Sequence, residues 1–373
     1  MRIDIRSATL FSAALAFAAP VRAEAIPLFA QRYHLRCETC HSVLPELNAF
    51  GNAFRDRGYR LPLPKHGTTG VAIRYQLEYE RDPAAGSRHF TQAGVLLSNA
   101  DIGAITAFVH YNLGAGGGPA GLFLGYLVTY NAHTQSLYRG GLFELPLAQS
   151  PGQRLDDLAP YGYYATRVGL DDLTLAAPRW GVQAERSFGT WRADATIAFA
   201  DYNGSAYGGR PVLTGETSSA GAPELGFFLR DSLTPDIDVG GEALAGVRSI
   251  TPVGRETFRD AYDRYGLFTH ARFQRLDFQA EQWWGRDDNA DGIGTPITSS
   301  GGYVRFKYYP VPHAYLGIRY DAAAAPFASR DFVYYAAVQI LDARFLVQEV
   351  RPQGEGPHLG AALTVGFPPP LKL

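Results

Sequence analysis

From residue 70 onward the polar and apolar positions alternate strictly. Between Val71 and Glu80 the odd positions carry Val71, Ile73, Tyr75, Leu77 and Tyr79, and the even ones Ala72, Arg74, Gln76, Glu78 and Glu80. A repeat of two is that of a strand with one apolar and one polar face. It recurs where Val304, Phe306 and Tyr308 alternate with Tyr303, Arg305 and Lys307, and where Leu316, Ile318 and Tyr320 alternate with Tyr315, Gly317 and Arg319. Tyr334, Ala336, Val338 and Ile340 form a further apolar face. The pattern predicts strands at 70–82, 88–98, 102–112, 121–131, 138–147, 178–188, 191–201 and 223–231. It predicts more at 237–248, 263–274, 277–286, 300–309, 312–321, 331–341, 343–351 and 358–367. Strands of roughly ten residues have the length that crosses an outer membrane at a tilt.

The connections also alternate. Tight ones are expected at Asn99-Ala100-Asp101, Gly189-Thr190, Arg275-Leu276 and Pro310-Val311, and long ones at 148–177, 202–222, 249–262 and 287–299. Short turns on one side and long loops on the other are the habit of an outer-membrane barrel. A soluble sheet with one wet face has no reason to alternate its connections in this way. The expected fold is all-β: a barrel of about 16 antiparallel strands over 67–373, behind a small α-helical unit. On this reading Arg74, Glu78, Arg272, Glu281, Arg305, Lys307 and Arg319 face the lumen, most of them as charges of a wet pore wall.

Residues before 67 follow other rules. Arg2 and Arg6 precede an apolar run from Ala8 to Ala19, and Val21-Arg22-Ala23 offers small residues for cleavage. This reads as a signal peptide over 1–23, which exports the chain. The run is too short to span a bilayer as a helix, and no later run is long enough. In residues 24–66, Leu47, Phe50 and Phe54 fall at helical spacing within 45–55, and Gly58 is placed to stop that helix in the left-handed conformation. Some forty residues bury little core alone, so the unit needs a hydrophobic centre or surrounding walls.

That unit carries the chemistry. Cys37-Glu38-Thr39-Cys40-His41 is a C-x-x-C-H motif and holds the only cysteines of the chain. Two thiols at this spacing reach the two vinyl groups of one porphyrin, and the following histidine supplies the proximal axial nitrogen. A disulfide would leave His41 unexplained, a thioredoxin-type pair needs a βαβ setting, and zinc needs about four ligands. One haem c, bound through Cys37 and Cys40 with His41 on the iron, is therefore the expected cofactor. Met1 is the only methionine, so methionine is excluded as the distal ligand. His66 is the first candidate for that position, His34 the second, and an open site the third.

Composition narrows the partners. The 373 residues carry a formal net charge of −2, which speaks against a nucleic-acid partner. Aromatic residues make up 13%, with 41 glycines, a mixture that favours strands and turns. Asp287, Asn289 and Asp291 before Gly292 resemble the start of a calcium loop, although Thr298 stands where the closing acidic ligand belongs. Asp156-Asp157 and Asp171-Asp172 are expected in an external loop, where hard oxygens would attract Fe²⁺. No G-x-S-x-G, P-loop or H-E-x-x-H motif is present.

Pro27-Leu28-Phe29-Ala30, the C-x-x-C-H motif, Pro45-Glu46-Leu47-Asn48-Ala49-Phe50-Gly51 and Phe54 through Gly58-Tyr59 together resemble a known family. These are the outer-membrane monohaem cytochrome–porin fusions, some of which oxidise ferrous iron. The local match covers about forty residues; beyond it the order of signal, haem plug and barrel is similar. The resemblance implies a haem held in or at the mouth of a porin in the bacterial outer membrane. It implies electron transfer across that membrane, with Fe(II) as a possible extracellular donor and a periplasmic cytochrome as acceptor. Two other readings remain open at this point: a transport porin with a haem-bearing gate or structural plug, and a haem sensor or peroxidase-like enzyme with an open distal site.

Overall fold

A computed structural model describes residues 28–33, 35, 37–41, 47–61, 69–82, 86–114, 121–150, 157–171, 173–199, 217–252, 254–324, 328–340 and 343–367. The expected signal peptide, His34 and His66 lie outside them. Among the described residues three short helices precede the strands: α1 (Leu28–Tyr33), α2 (Cys37–Cys40) and α3 (Ala49–Asp56). Sixteen strands follow. The first eight are β1 (Thr69–Asp82), β2 (Ser87–Ile102), β3 (Ile105–Asn112), β4 (Gly121–Asn131), β5 (Ser136–Phe143), β6 (Arg179–Phe188), β7 (Trp191–Phe199) and β8 (Thr217–Thr234). The others are β9 (Ile237–Thr251), β10 (Phe258–Phe273), β11 (Leu276–Asp287), β12 (Ile297–Val311), β13 (Ala314–Ala324), β14 (Ser329–Ile340), β15 (Ala343–Pro352) and β16 (His358–Phe367). Each pairs antiparallel with its neighbours in sequence, and β1 closes on β16, with Ile73 opposite Phe367. Closure leaves no free edge for another chain to pair with.

The alternation decides which residues point where. On β12 Val304 and Phe306 are exposed outside, while Arg305 and Lys307 are buried inside. Leu267, Leu225, Phe227, Ile197 and Leu316 continue the exposed apolar surface on other strands. Such a face has no place in water and suits hydrocarbon. The buried polar residues lie in the lumen, so the core of this molecule is inside the barrel rather than between layers.

Two expected turns are displaced. Asn99-Ala100-Asp101 belongs to β2, and the chain turns at Gly103 and Ala104, with Gly103 at φ +59°. Asn99 and Asp101 look like turn formers but face the lumen, where they accept hydrogen bonds from Arg32. Pro310 and Val311 belong to β12; a register shift between Tyr308 and Val311 accommodates the proline, and the turn comes after it. Strands β8, β10 and β12 also begin earlier than expected. Their added residues, such as Thr217-Ser218-Ser219 and Thr298-Ser299, are small and polar and carry no apolar period.

The largest departure is the connection from β5 to β6. It was expected outside, but it folds into the lumen around a 3₁₀ turn at Tyr163–Ala165. Tyr161, Tyr163, Tyr164, Leu173 and Leu175 pack there against Leu244, Tyr262, Trp283 and Tyr303 of the wall. Asp157 and Asp171 are accordingly buried rather than exposed to the outside, while Asp156 and Asp172 lie outside the described residues. The apolar content of the segment explains this: its tyrosines and leucines are stabilised by burial against the lumen wall.

Candidate functional site

The N-terminal unit sits inside the barrel at the end with the short turns. Its centre is aromatic. Phe29 stacks on Tyr59 with ring centroids 4.7 Å apart, and Phe54 meets Phe29 edge-on at 5.3 Å and Tyr33 at 5.8 Å. The Tyr33 hydroxyl accepts a hydrogen bond from the backbone N–H of Leu61 at 3.2 Å, joining the start of the unit to its end. Asn48 caps α3, accepting from the Gly51 N–H at 2.9 Å. After α3, Gly58 takes the left-handed conformation expected of it, with φ +64°.

The C-x-x-C-H segment is clamped onto α3. The Asn48 backbone N–H donates to the Cys40 carbonyl at 2.9 Å, and its side-chain Nδ2 donates to the Thr39 carbonyl at 3.1 Å. His41 pairs with Leu47 as an isolated bridge. Gly51 allows the close approach: a Cβ there would collide with the Cys40 carbonyl and lie 2.9 Å from Leu47 Cδ2. One residue, Asn48, thus caps a helix and holds the turn that carries the second cysteine.

Cys37 and Cys40 are the first and last residues of the single turn of α2. Cys40 is a half-buried free thiol, and burial pushes it above the ordinary thiol range. It is therefore not preset as a reactive thiolate. Paired thiols followed directly by an imidazole form a donor set that fits a c-type haem, with Cys37 and Cys40 as thioether attachments and His41 as axial ligand.

The wall holds the unit by charge and stacking. Arg32 donates from Nη1 to Asp101 and from Nη2 to Asn99, both at 3.0 Å. Arg60 donates to Thr106 Oγ1 at 3.2 Å and to the Gly103 carbonyl at 2.9 Å. Tyr59 stacks on Phe108 at 6.1 Å, and its hydroxyl lies 3.2 Å from that of Tyr126. Across the lumen Asp56 meets Arg192 at 3.0 Å, and Arg192 is also held by Glu185 at 2.9 Å and Asp194 at 3.1 Å. Burial alone would raise the Asp56 pKa, but the guanidiniums of Arg192, Arg55 and Arg230 outweigh it and hold the carboxyl below its usual range.

Each expected lumen charge is on the inner face. Arg305 and Lys307 share Asp277, at 3.1 and 4.0 Å, and Arg319 joins Asp157 of the inner loop at 2.6 Å and Asp321 at 2.8 Å. Glu281 accepts from the Tyr164 hydroxyl, at 2.8 and 2.6 Å to its two oxygens, and from Trp283 Nε1. The calcium-like segment is arranged differently from an EF-hand loop. Asp287 faces the lumen and pairs with Arg264 at 2.8 Å, Asn289 Oδ1 accepts from the Gly294 N–H, and Asp291 accepts from the Ile293 N–H. Among the described residues, the carboxylates that converge are instead Asp171, Asp260 and Asp287, with oxygens within 4.8 Å of one another.

The docking residues Arg32, Asp56, Arg60 and Arg192 were not anticipated, because charges many residues apart carry no local pattern. The inner loop did leave a signal: Ala159-Pro160-Tyr161-Gly162-Tyr163-Tyr164 is too apolar for a segment exposed to water.

No protein-family model matches the chain, and no curated protein matches it in sequence. Solved structures do resemble it in shape. An anion-selective porin from Comamonas acidovorans aligns with a TM-score of 0.55 at 12% identity, over 81% of this chain and 98% of the porin. Salmonella typhi OmpF, in complex with daunomycin, aligns with a TM-score of 0.57 at 9% identity, over 84% and 99%. A loop-deletion form of OmpT from Vibrio cholerae aligns with a TM-score of 0.53 at 12% identity, over 80% and 99%. The barrel therefore has a porin-like fold.

Proposed function

We propose that the chain is an outer-membrane electron-transfer protein: a porin-like barrel with a single c-type haem unit inside its lumen. Electrons arrive from an extracellular donor, Fe(II) or another, and leave to a periplasmic cytochrome. The carrying observation is the C-x-x-C-H segment clamped to α3 within the barrel, at the end where the chain enters. Placing an attachment site in the lumen is what a one-electron carrier needs to work within a layer about 30 Å thick that electrons do not cross unaided.

The haem supplies the one-electron exchange. The residues of the chain do the rest. Cys37 and Cys40 tether the ring, and His41 holds one axial position. Asn48 fixes the segment against α3, and Arg32, Arg60 and Asp56 hold the unit to the wall. His66 is proposed as the distal ligand ahead of His34. Each Fe²⁺ oxidised to Fe³⁺ delivers one electron, so the acceptor takes one electron per turnover.

Purified protein should show a covalent haem stain on a denaturing gel, and stopped-flow mixing with Fe²⁺ should reduce the haem. A chain without covalent haem would sink the reading. A transport porin is favoured by one observation, the porin-like barrel itself. It predicts ion conductance in planar bilayers together with a haem that does not respond to Fe²⁺.

A further inference from the structure

We infer that Arg344 and Arg74 form a seat for anionic oxygen, a pair of carboxylates or a phosphate-like group, on the lumen wall. The reason lies in the charge pairing. The buried arginines Arg179, Arg248, Arg264, Arg305 and Arg319 each have a carboxylate within hydrogen-bonding reach, at 2.6–3.1 Å. Arg32 and Lys307 have theirs at 3.0 and 4.0 Å. Among the buried cations of the described residues, Arg344 alone has none within 4.0 Å, although it is only 4% exposed.

Its Nη2 donates to the Tyr315 hydroxyl at 2.8 Å, and its Nε is buried with no hydrogen-bond partner. The second cation is Arg74, on the strand across β16 and two positions along from Gln76, the residue in line with Thr364 and Arg344. Arg74 is half-buried and also has no carboxylate partner. The two arginines lie on either side of β16, where the barrel closes: Arg344 stands opposite Thr364, Thr364 bonds Gln76, and Arg74 stands opposite Gly366. Helix α1 packs against β1, the strand that carries Arg74.

Leaving a guanidinium buried without a counter-charge is costly, and setting a second one beside it adds to the cost. An anion offering two oxygens removes both penalties, and guanidinium forks suit planar carboxylates and phosphates. Two sources present this chemistry. One is the propionate pair of the porphyrin, which rests on the haem reading above; the other is a diffusible anion such as inorganic phosphate.

The test uses the full chain in detergent as wild type, Arg344→Gln, Arg74→Gln and Arg344→Lys, with Arg286→Gln at the exposed rim as control. If propionates occupy the seat, the haem midpoint potential falls in both glutamine variants and returns towards wild type with lysine, because a cation beside the haem favours its reduced form. If a free anion occupies it, calorimetry of inorganic phosphate with the haem-free Cys37→Ser/Cys40→Ser chain shows binding that weakens at least tenfold in the glutamine variants. Either result supports the seat. An unmoved potential together with no Arg344-dependent phosphate binding overturns it. A wild-type chain with no covalent haem defeats the electron-transfer reading but leaves the phosphate measurement to decide this one. Folding is checked by heat-modifiable gel mobility; should Arg344→Gln fail to fold, Arg74→Gln carries both measurements.

Discussion

Two segments fill one lumen in different ways. The inner loop between β5 and β6 brings tyrosines and leucines but completes its core with wall residues Leu244, Tyr262, Trp283 and Tyr303. Its charges, Asp157 and Asp171, are paired deep in the interior with wall arginines. The N-terminal unit brings its own small aromatic centre, Phe29, Tyr33, Phe54 and Tyr59, and is held at its margins by Arg32, Arg60 and Asp56. The loop is part of the barrel's folding unit. The N-terminal unit is a docked body, and docked bodies can be loosened without unfolding their container.

The sharpest way to test that contrast is to remove the proposed haem. Cys40→Ala should abolish the two-thioether attachment and lower the stain on denaturing gels severalfold or more. It should expose residues 28–61 to protease while the barrel keeps its heat-modifiable mobility; a fully protected N-terminal unit would argue that the unit needs no haem centre. Next in size is Arg319→Ala, which leaves Asp157 and Asp321 buried with no cation; breaking such a pair costs about 3–5 kcal/mol. Urea unfolding of the whole barrel should register it, whereas an effect limited to local proteolysis would contradict the loop's integration.

A smaller effect is expected from Asp56→Ala, which releases the N-terminal unit from Arg192 while leaving that arginine held by Glu185 and Asp194 of the wall. The loss is about 1–3 kcal/mol by the usual cost of a charged hydrogen bond, and less where solvent screens it. It should appear as faster cleavage within 28–61 with no change in barrel unfolding. The same latch responds to pH. The docked Asp56 titrates below its free value of about 4, so the latch contributes fully above that value and is lost as pH falls through the docked one. Protection of 28–61 should therefore hold at neutral pH and decline in acid below about 4, with the decline missing in Asp56→Asn. The least effect is expected on the outer face. Leu267→Val trims one apolar side chain that points away from the lumen and should change barrel stability by about 1 kcal/mol or less.

Much of this molecule was legible in residue order. The period of two placed the sixteen strands and sorted Arg305, Lys307 and Arg319 to the inside, because side-chain direction in a strand depends only on parity. The C-x-x-C-H motif can be picked out because its residues are adjacent, and the haem it would carry is a proposal. What only the tertiary structure decided is everything that depends on distance across the lumen. Asn99 and Asp101 have the composition of a turn but are bound by Arg32 inside the lumen, and the segment around Tyr163 has the place of an outside loop but takes its core from the wall. The pairing of Asp56 with Arg192, and the lack of a carboxylate beside Arg344, are of the same kind. Closing a sheet brings residues from distant strands into one enclosed space, and charge pairing there depends on that geometry rather than on any spacing along the chain.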